Sequence, residues 1–206
     1  MAFTSYTDFK ATVASYLARD DLTSMIPAFI TLAEARLGRD VNIREMLKVV
    51  TTTTTAGDPT VELPSDFSMI RDIHINTNPI TVLQYDTPSA FYRNTNSTVS
   101  GIPRFYTILA REFQFSPIPD SAYDIQMLYY ANPTPLSDTN ASNIYLTACP
   151  DLLLYATLGE AEPYLMNDAR LQTWATMYDK GLQSLIVNDD AGEWSGSPIS
   201  IQVLTR

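Results

Sequence analysis

The chain has 206 residues, 45% hydrophobic and 17% charged, with 13 basic against 23 acidic side chains and a formal charge of −10. This length and apolar share suit one sizeable domain or two small ones and exclude a disordered chain. The acidic excess argues against wrapping nucleic acid, whose phosphates are held mainly by Lys and Arg.

The lone cysteine, Cys149, excludes an internal disulfide framework and suits a reducing compartment. No basic N-terminal region leads into an apolar block, and no apolar run approaches the ~20 residues of a membrane span. A soluble protein folded in a cytoplasm is expected, without membrane contact.

In chain order, TSYTDFKATVASYLARDDL opens with Ser5 and Asp8 at capping-box spacing, and Tyr6, Phe9, Val13 and Leu17 recur on one helical face. A second helix is predicted near SMIPAFITLAEARLGRDV, with Pro27 in its first turn and an apolar stripe of Ile26, Phe29, Ile30, Ala33 and Leu37. The two make a helical hairpin over residues 1–46.

From residue 47 the texture becomes β-branched. LKVVTTTTTAGDPTVELPSDF predicts an edge hairpin turning at Gly57 to Pro59, and SMIRDIHI and ITVLQY predict further strands. TPSAFYRN predicts a short helix with Thr87 as its cap, and NTNSTVSG a polar loop.

Phe105 to Leu109 predicts a strand that turns over at Ala110, Arg111 and Glu112 into a partner carrying Phe113 and Phe115. Pro117 and Pro119 then end the pairing. Tyr123, Ile125, Met127 and Tyr129 alternate with Asp124 and Gln126, as in a strand with one wet face. Connections this short predict an antiparallel sheet over residues 47–139.

Helix returns with CPDLLLYATLGEAEPYL and then NDARLQTWATMYDKGLQSLIVNDD, where Leu171, Trp174, Met177 or Tyr178, Leu182 and Leu185 share a side. These place C-terminal helices over 140–188. Residues 189–206 read as an extended tail in which Ile199, Ile201 and Val203 alternate as in a strand without a partner. The expected fold class is α+β: hairpins from both chain ends forming a helical bundle, with an inserted antiparallel β-subdomain.

Residues able to do chemistry are sparse. His74 is the only histidine and alternates with Ile73 and Ile75, so an ordinary strand residue is the stronger reading, and no Gly-x-Ser-x-Gly elbow supports a triad. Cys149 before Pro150 reads as a small core residue. Glu160 with Glu162, and Asp120 with Asp124, could serve glycoside hydrolysis if held facing one another, but acids at helix ends and turns are usually solvated or capping groups. The 7 glycines form no phosphate-cradling loop, and no cofactor or metal is implied. Most of the 12 tyrosines and 8 phenylalanines fall at core positions; Tyr85, Phe91, Tyr92 and Tyr106 lie near polar loops and are the candidates for a lateral or tail interface, or for stacking on sugars.

Taken in order, MIPAFITLAEARLGRDVNIREM, VELPSDFSMIRDI, GIPRFYTI, FQFSPIPD, YDIQMLYYANPTPLS and IYLTACPDLLLYATLGEAEPYLMNDARLQTWATMYDKGLQSL resemble the head-to-tail adaptor proteins of short-tailed bacteriophages. The resemblance runs from about residue 5 to residue 187. It implies a structural, non-enzymatic virion protein without a cofactor, of twelve copies in a ring at the head–tail junction, assembled in the host cytoplasm. Such a ring joins the portal protein to the tail nozzle, can carry tail fibres, and passes the genomic DNA at ejection without sequence-specific binding. A carboxylate-rich lining would keep that channel from holding the duplex. In this frame Trp194, Ile199, Ile201 and Val203 are expected to reach the portal or a neighbour by strand addition. The alternative is a tail-associated carbohydrate- or receptor-binding protein using the aromatic β-subdomain.

Overall fold

A computed structural model describes residues 3–19, 21–94, 99–165 and 168–194. The chain is mixed α+β and divides into two compact units, residues 1–46 with 133–206, and residues 47–132.

The first unit is helical. In α1 (Tyr6–Leu17), the Ser5 side chain caps the Asp8 N–H at 3.3 Å and Asp8 reaches back to the Thr4 N–H at 3.1 Å. Tyr6, Phe9, Val13 and Leu17 form its buried face, as their spacing predicts. Ala18 ends it in the left-handed region (φ 51°), returning its N–H to the Ala14 and Ser15 carbonyls. Helix α2 (Ile26–Asp40) buries the predicted stripe and also Glu34.

Helix α4 (Ile144–Ala148), which the sequence reading passed over, is capped by the Asn143 side chain and runs into α5 (Pro150–Leu165). The last helix is α6 (Asp168–Trp194). Helix α5 packs along both α2 and α6. At Gly181 a Cβ would come 2.9 Å from the Leu152 side chain, so the missing methyl permits that close approach.

Three polar ties fix how these helices meet. Tyr178 donates to Asp40 Oδ2 at 2.8 Å while Arg36 lies 4.1 Å over its ring, joining α6 to α2. Arg44 bonds Asp189 through its backbone N–H and its Nε. Residues 133–143 are held against α1 and α2: Tyr6 N–H donates to Ala141 C=O at 2.7 Å, Lys10 bridges Asp138 at 2.7 Å, and Glu34 accepts from Leu136 N–H and Asn143 Nδ2.

The sequence predicts an extended tail from residue 189, but α6 continues through Trp194. Gly192 sits where the Arg44 guanidinium lies against the backbone, in space a Cβ would occupy. A tertiary contact thus offsets glycine's poor helix propensity of about 1 kcal/mol.

The second unit holds two four-stranded sheets. The first has the order β1 (Leu47–Thr53), β8 (Asp124–Ala131), β3 (Phe67–Ile75), β4 (Thr81–Val82). The second runs β2 (Thr60–Glu62), β7 (Glu112–Ser116), β6 (Phe105–Leu109), β5 (Gln84–Tyr85). Both contribute to one core containing Ile73, Ile75, Leu83, Tyr106, Phe113, Phe115, Ile125, Met127 and Tyr129. Phe113 is its centre, with ring contacts to Phe67, Tyr106 and Phe115.

Two expectations about pairing change. The threonine-rich strand is an edge, as predicted, but not half of a hairpin: β1 pairs with β8 and β2 with β7. Beyond Thr53 the chain turns inward, because buried Thr54 exchanges bonds with the Tyr123 backbone, and Gly57 (φ +81°) then delivers it to the other sheet. The sheets are not wholly antiparallel either. ITVLQY splits around buried Leu83 into β4 and β5, one in each sheet, and β5 pairs parallel with β6. Helix α3 (Pro88–Asn94) lies in the connection between them, long enough for the crossover a parallel pair requires. The β6–β7 hairpin and the alternating burial of β8 follow the prediction.

Candidate assembly surfaces

The groups able to do chemistry are engaged structurally. His74 Nδ1 lies 3.2 Å from Asp72 Oδ2 within the same strand. Cys149 is buried, and desolvation, with Asp151 and Glu45 adding to it, pushes its thiol up to about 12, far from a reactive thiolate. Asp120 accepts from Tyr123 at 2.6 Å and Asp124 from Thr53 at 2.8 Å. Glu160 lies 3.9 Å from Arg36. Glu162, 1% exposed, accepts from Trp174 Nε1 at 3.0 Å. Among the described residues no three His, Cys, Asp or Glu side chains are grouped to hold a metal, and no helix is long and apolar enough to cross a membrane.

The aromatic candidates divide into two pairs. Phe91 and Tyr106 are buried, 3% and 5% exposed, and so support the surface from beneath. Tyr85 and Tyr92 are exposed, each resting edge-on against one of those rings at 5.5 and 6.0 Å. Tyr92 also donates to Gln114 Oε1 at 3.2 Å. A ring braced in this way offers contact area with little rotamer entropy left to lose. Burial raises the Tyr106 phenol above its ordinary value, so it remains neutral.

Sequence reasoning missed a second feature of this unit. Ile80 and Val82, 63% and 68% exposed, line an open groove with Ile102, Arg104 and Phe105. The available signal was charge: Asn76 to Tyr85 contains no Asp, Glu, Lys, Arg or His. In the helical unit a separate groove is lined by Phe3, Thr12, Tyr16, Leu154 and Tyr155. Trp174 stacks on Tyr155 at 6.3 Å and meets Tyr16 edge-on at 6.4 Å.

Of the C-terminal candidates, Trp194 closes the backbone of α6. Ile199, Ile201 and Val203 lie outside the described residues.

Two tightly packed units, with open apolar edges and braced surface rings, have the build of a contact-making α+β protein. A family model described as SU10 adaptor protein matches residues 4–202, nearly the whole chain, and the protein belongs to that phage adaptor family. It is thus a phage structural adaptor, a virion component that interacts with other capsid or tail parts. No curated protein matches the chain.

Proposed function

We propose that this adaptor forms a ring, of twelve copies, that joins the portal to the tail nozzle of a short-tailed phage and surrounds the path of the DNA. The observation that carries the reading is the adaptor-family match over residues 4–202. The physical features agree with it. Helices joined by specific polar ties supply a rigid body, and the exposed apolar edge and the braced Tyr85 and Tyr92 supply contact surface. The charge of −10 disfavours adhesion to a passing duplex. Its role is contact rather than catalysis, and the C-terminal residues Trp194, Ile199, Ile201 and Val203 reach the portal or a neighbouring copy.

The test is to mix the purified chain with the portal protein of the same phage and measure the mass of the complex by light scattering. Twelve copies per portal ring are expected. A chain that never joins the portal would defeat the reading, whereas a monomer in isolation would not, because assembly can await the portal surface. Exposed Tyr85 and Tyr92 favour one alternative, a tail-associated sugar- or receptor-binding role. A glycan array on which Tyr85→Ala and Tyr92→Ala abolish a specific signal would establish it.

A further inference from the structure

Four strands form the edges of the β unit, and they are not protected equally. Strand β1 carries Lys48, bridged to Asp66, and β2 carries Glu62 and is flanked by Asp58, Pro59 and Pro64. Charges and prolines of this kind keep sheet edges from pairing with other chains. The stretch containing β4 and β5 has Pro79 ahead of β4 but no such charge between Ile75 and Asp86.

Its backbone is also presented. Leu83 N–H donates to Ile73 C=O at 3.1 Å, and the pairs alongside are His74 with Val82 and Ile75 with Thr81. The two-residue alternation of an antiparallel ladder therefore turns the Val82 N–H and C=O away from β3, towards the open edge. Ile80 and Val82 point to the face opposite buried Leu83 and line the groove with Ile102. A groove with apolar Ile80, Val82 and Ile102 beside an uncharged strand edge suits an added strand, with main-chain bonds giving affinity and alternate side chains giving specificity.

The same chain carries a segment of the matching chemistry. After α6 ends at Trp194, the sequence SGSPISIQVLTR has no charge before Arg206 and sets Ile199, Ile201 and Val203 at alternate positions. That is the period of a strand with one apolar face. Seven such residues extended span about 23 Å, ample to run past a two-residue edge. The docking segment brings no charge of its own to a groove whose one charged lining residue is Arg104, so no charge of the segment would be buried unpaired, which is the usual penalty for mismatched surfaces.

We infer that residues 198–204 of one copy add as a strand to the Thr81–Val82 edge of a neighbouring copy, setting Ile199, Ile201 and Val203 beside Ile80, Val82 and Ile102. This rests on the ring reading above and names the neighbour, rather than the portal, as the partner of the C-terminal segment. Each copy then gives one strand and receives one, a head-to-tail contact of the type that builds rings.

The test uses full-length chains. Protein with Val82→Cys is mixed with protein carrying Ile199→Cys, Ile201→Cys or Val203→Cys and mildly oxidised, free at high concentration and again on the portal. Native Cys149 is buried, so the introduced thiols form the reactive pair. A disulfide-linked species of two chains that needs both substitutions is expected for at least one register. Absence of that species at all three positions in both settings overturns the inference, as does a cross-link confined within one chain when both cysteines are placed together.

A second measurement avoids cysteine. A labelled peptide of residues 195–206 should bind the full chain, and Val82→Lys should weaken it by at least about tenfold. No binding, or equal binding by the variant, overturns the inference. Chains that join the portal without cross-linking leave the adaptor reading in place and remove this one; chains that never join the portal remove the adaptor reading instead.

Discussion

The helical unit and the β unit handle buried polarity differently. Helices satisfy their own backbones, so little in a helix says how it should lie on its neighbour, and here side-chain bonds supply that information. Buried Glu34 holds residues 136 and 143 to α2, Glu162 holds Trp174, and Asp40 holds Tyr178. In the β unit the ladders themselves fix register, and the buried polar side chains are Thr54, Thr107 and Ser116, with no buried carboxylate among the described residues. Desolvation is thus concentrated in the helical unit, whereas the β unit's vulnerability lies in its rings and its open edge.

The largest expected effect sharpens the β side of the contrast. Phe113→Ala should cost about 3–5 kcal/mol, the range for deleting a ring from a packed core, because Phe113 is fully buried among three other rings. Hydrogen exchange of β6–β8 amides should show the loss.

Next comes the helical counterpart. Glu34→Ala leaves the Leu136 N–H without its acceptor and the Asn143 amide with the Thr134 carbonyl alone, at a cost of about 2–3 kcal/mol. Exchange at Leu136, in the stretch held against α2, should report it, and an unchanged rate there would break the comparison.

The two units should also respond to acid with opposite signs. Burial raises the Glu34 carboxyl above its ordinary value despite the bonds from Leu136 and Asn143. Its contribution to folding is therefore fully present below the unfolded value and is lost as pH rises through the folded one. Asp66 is held below its ordinary value, first by the Lys48 hydrogen bond and also by Tyr129. Its contribution is present at neutral pH and is lost as pH falls through the depressed value. Urea unfolding between pH 3 and 7 of Glu34→Gln and Asp66→Asn should each remove one of these opposed slopes; slopes of the same sign would contradict the assignment.

The smallest effects concern single groups. Cys149 should resist a thiol reagent at pH 8 until the chain is unfolded, since its thiol is buried and titrates near 12. Ala110, at φ 54° in the β6–β7 turn, should accept glycine with a change within about 1 kcal/mol, relief of backbone strain being partly offset by unfolded-state entropy.

The same division governs what could be read from the residues. Where a pattern is local the reading holds: the Ser5 cap, the stripes of α1 and α2, the Phe105–Ser116 hairpin and the alternation of β8 are all set by periods of 3.6 or 2. Partners distant in sequence left no such mark. The β1–β8 pairing spans more than seventy residues, and the crossing of 80–85 between sheets depends on Leu83 finding a core built by other strands. Tyr85 and Tyr92 could be nominated by residue type, but only packing separated them from Phe91 and Tyr106. The Ile80–Val82–Ile102 groove was overlooked because Ile80 and Val82 read as ordinary strand residues and Ile102 falls outside the predicted strands.

The sequence alone determined the alternation of helical and β segments, their buried faces and the family to which the chain belongs, because each depends on residues near one another or on their order. Tertiary structure decided which strands share a sheet, that Gly192 stays helical against Arg44, that Glu34 is buried, and which apolar side chains remain open to a partner. Those outcomes depend on desolvation and packing between groups far apart in the chain, which exist only once both sides of a contact are folded.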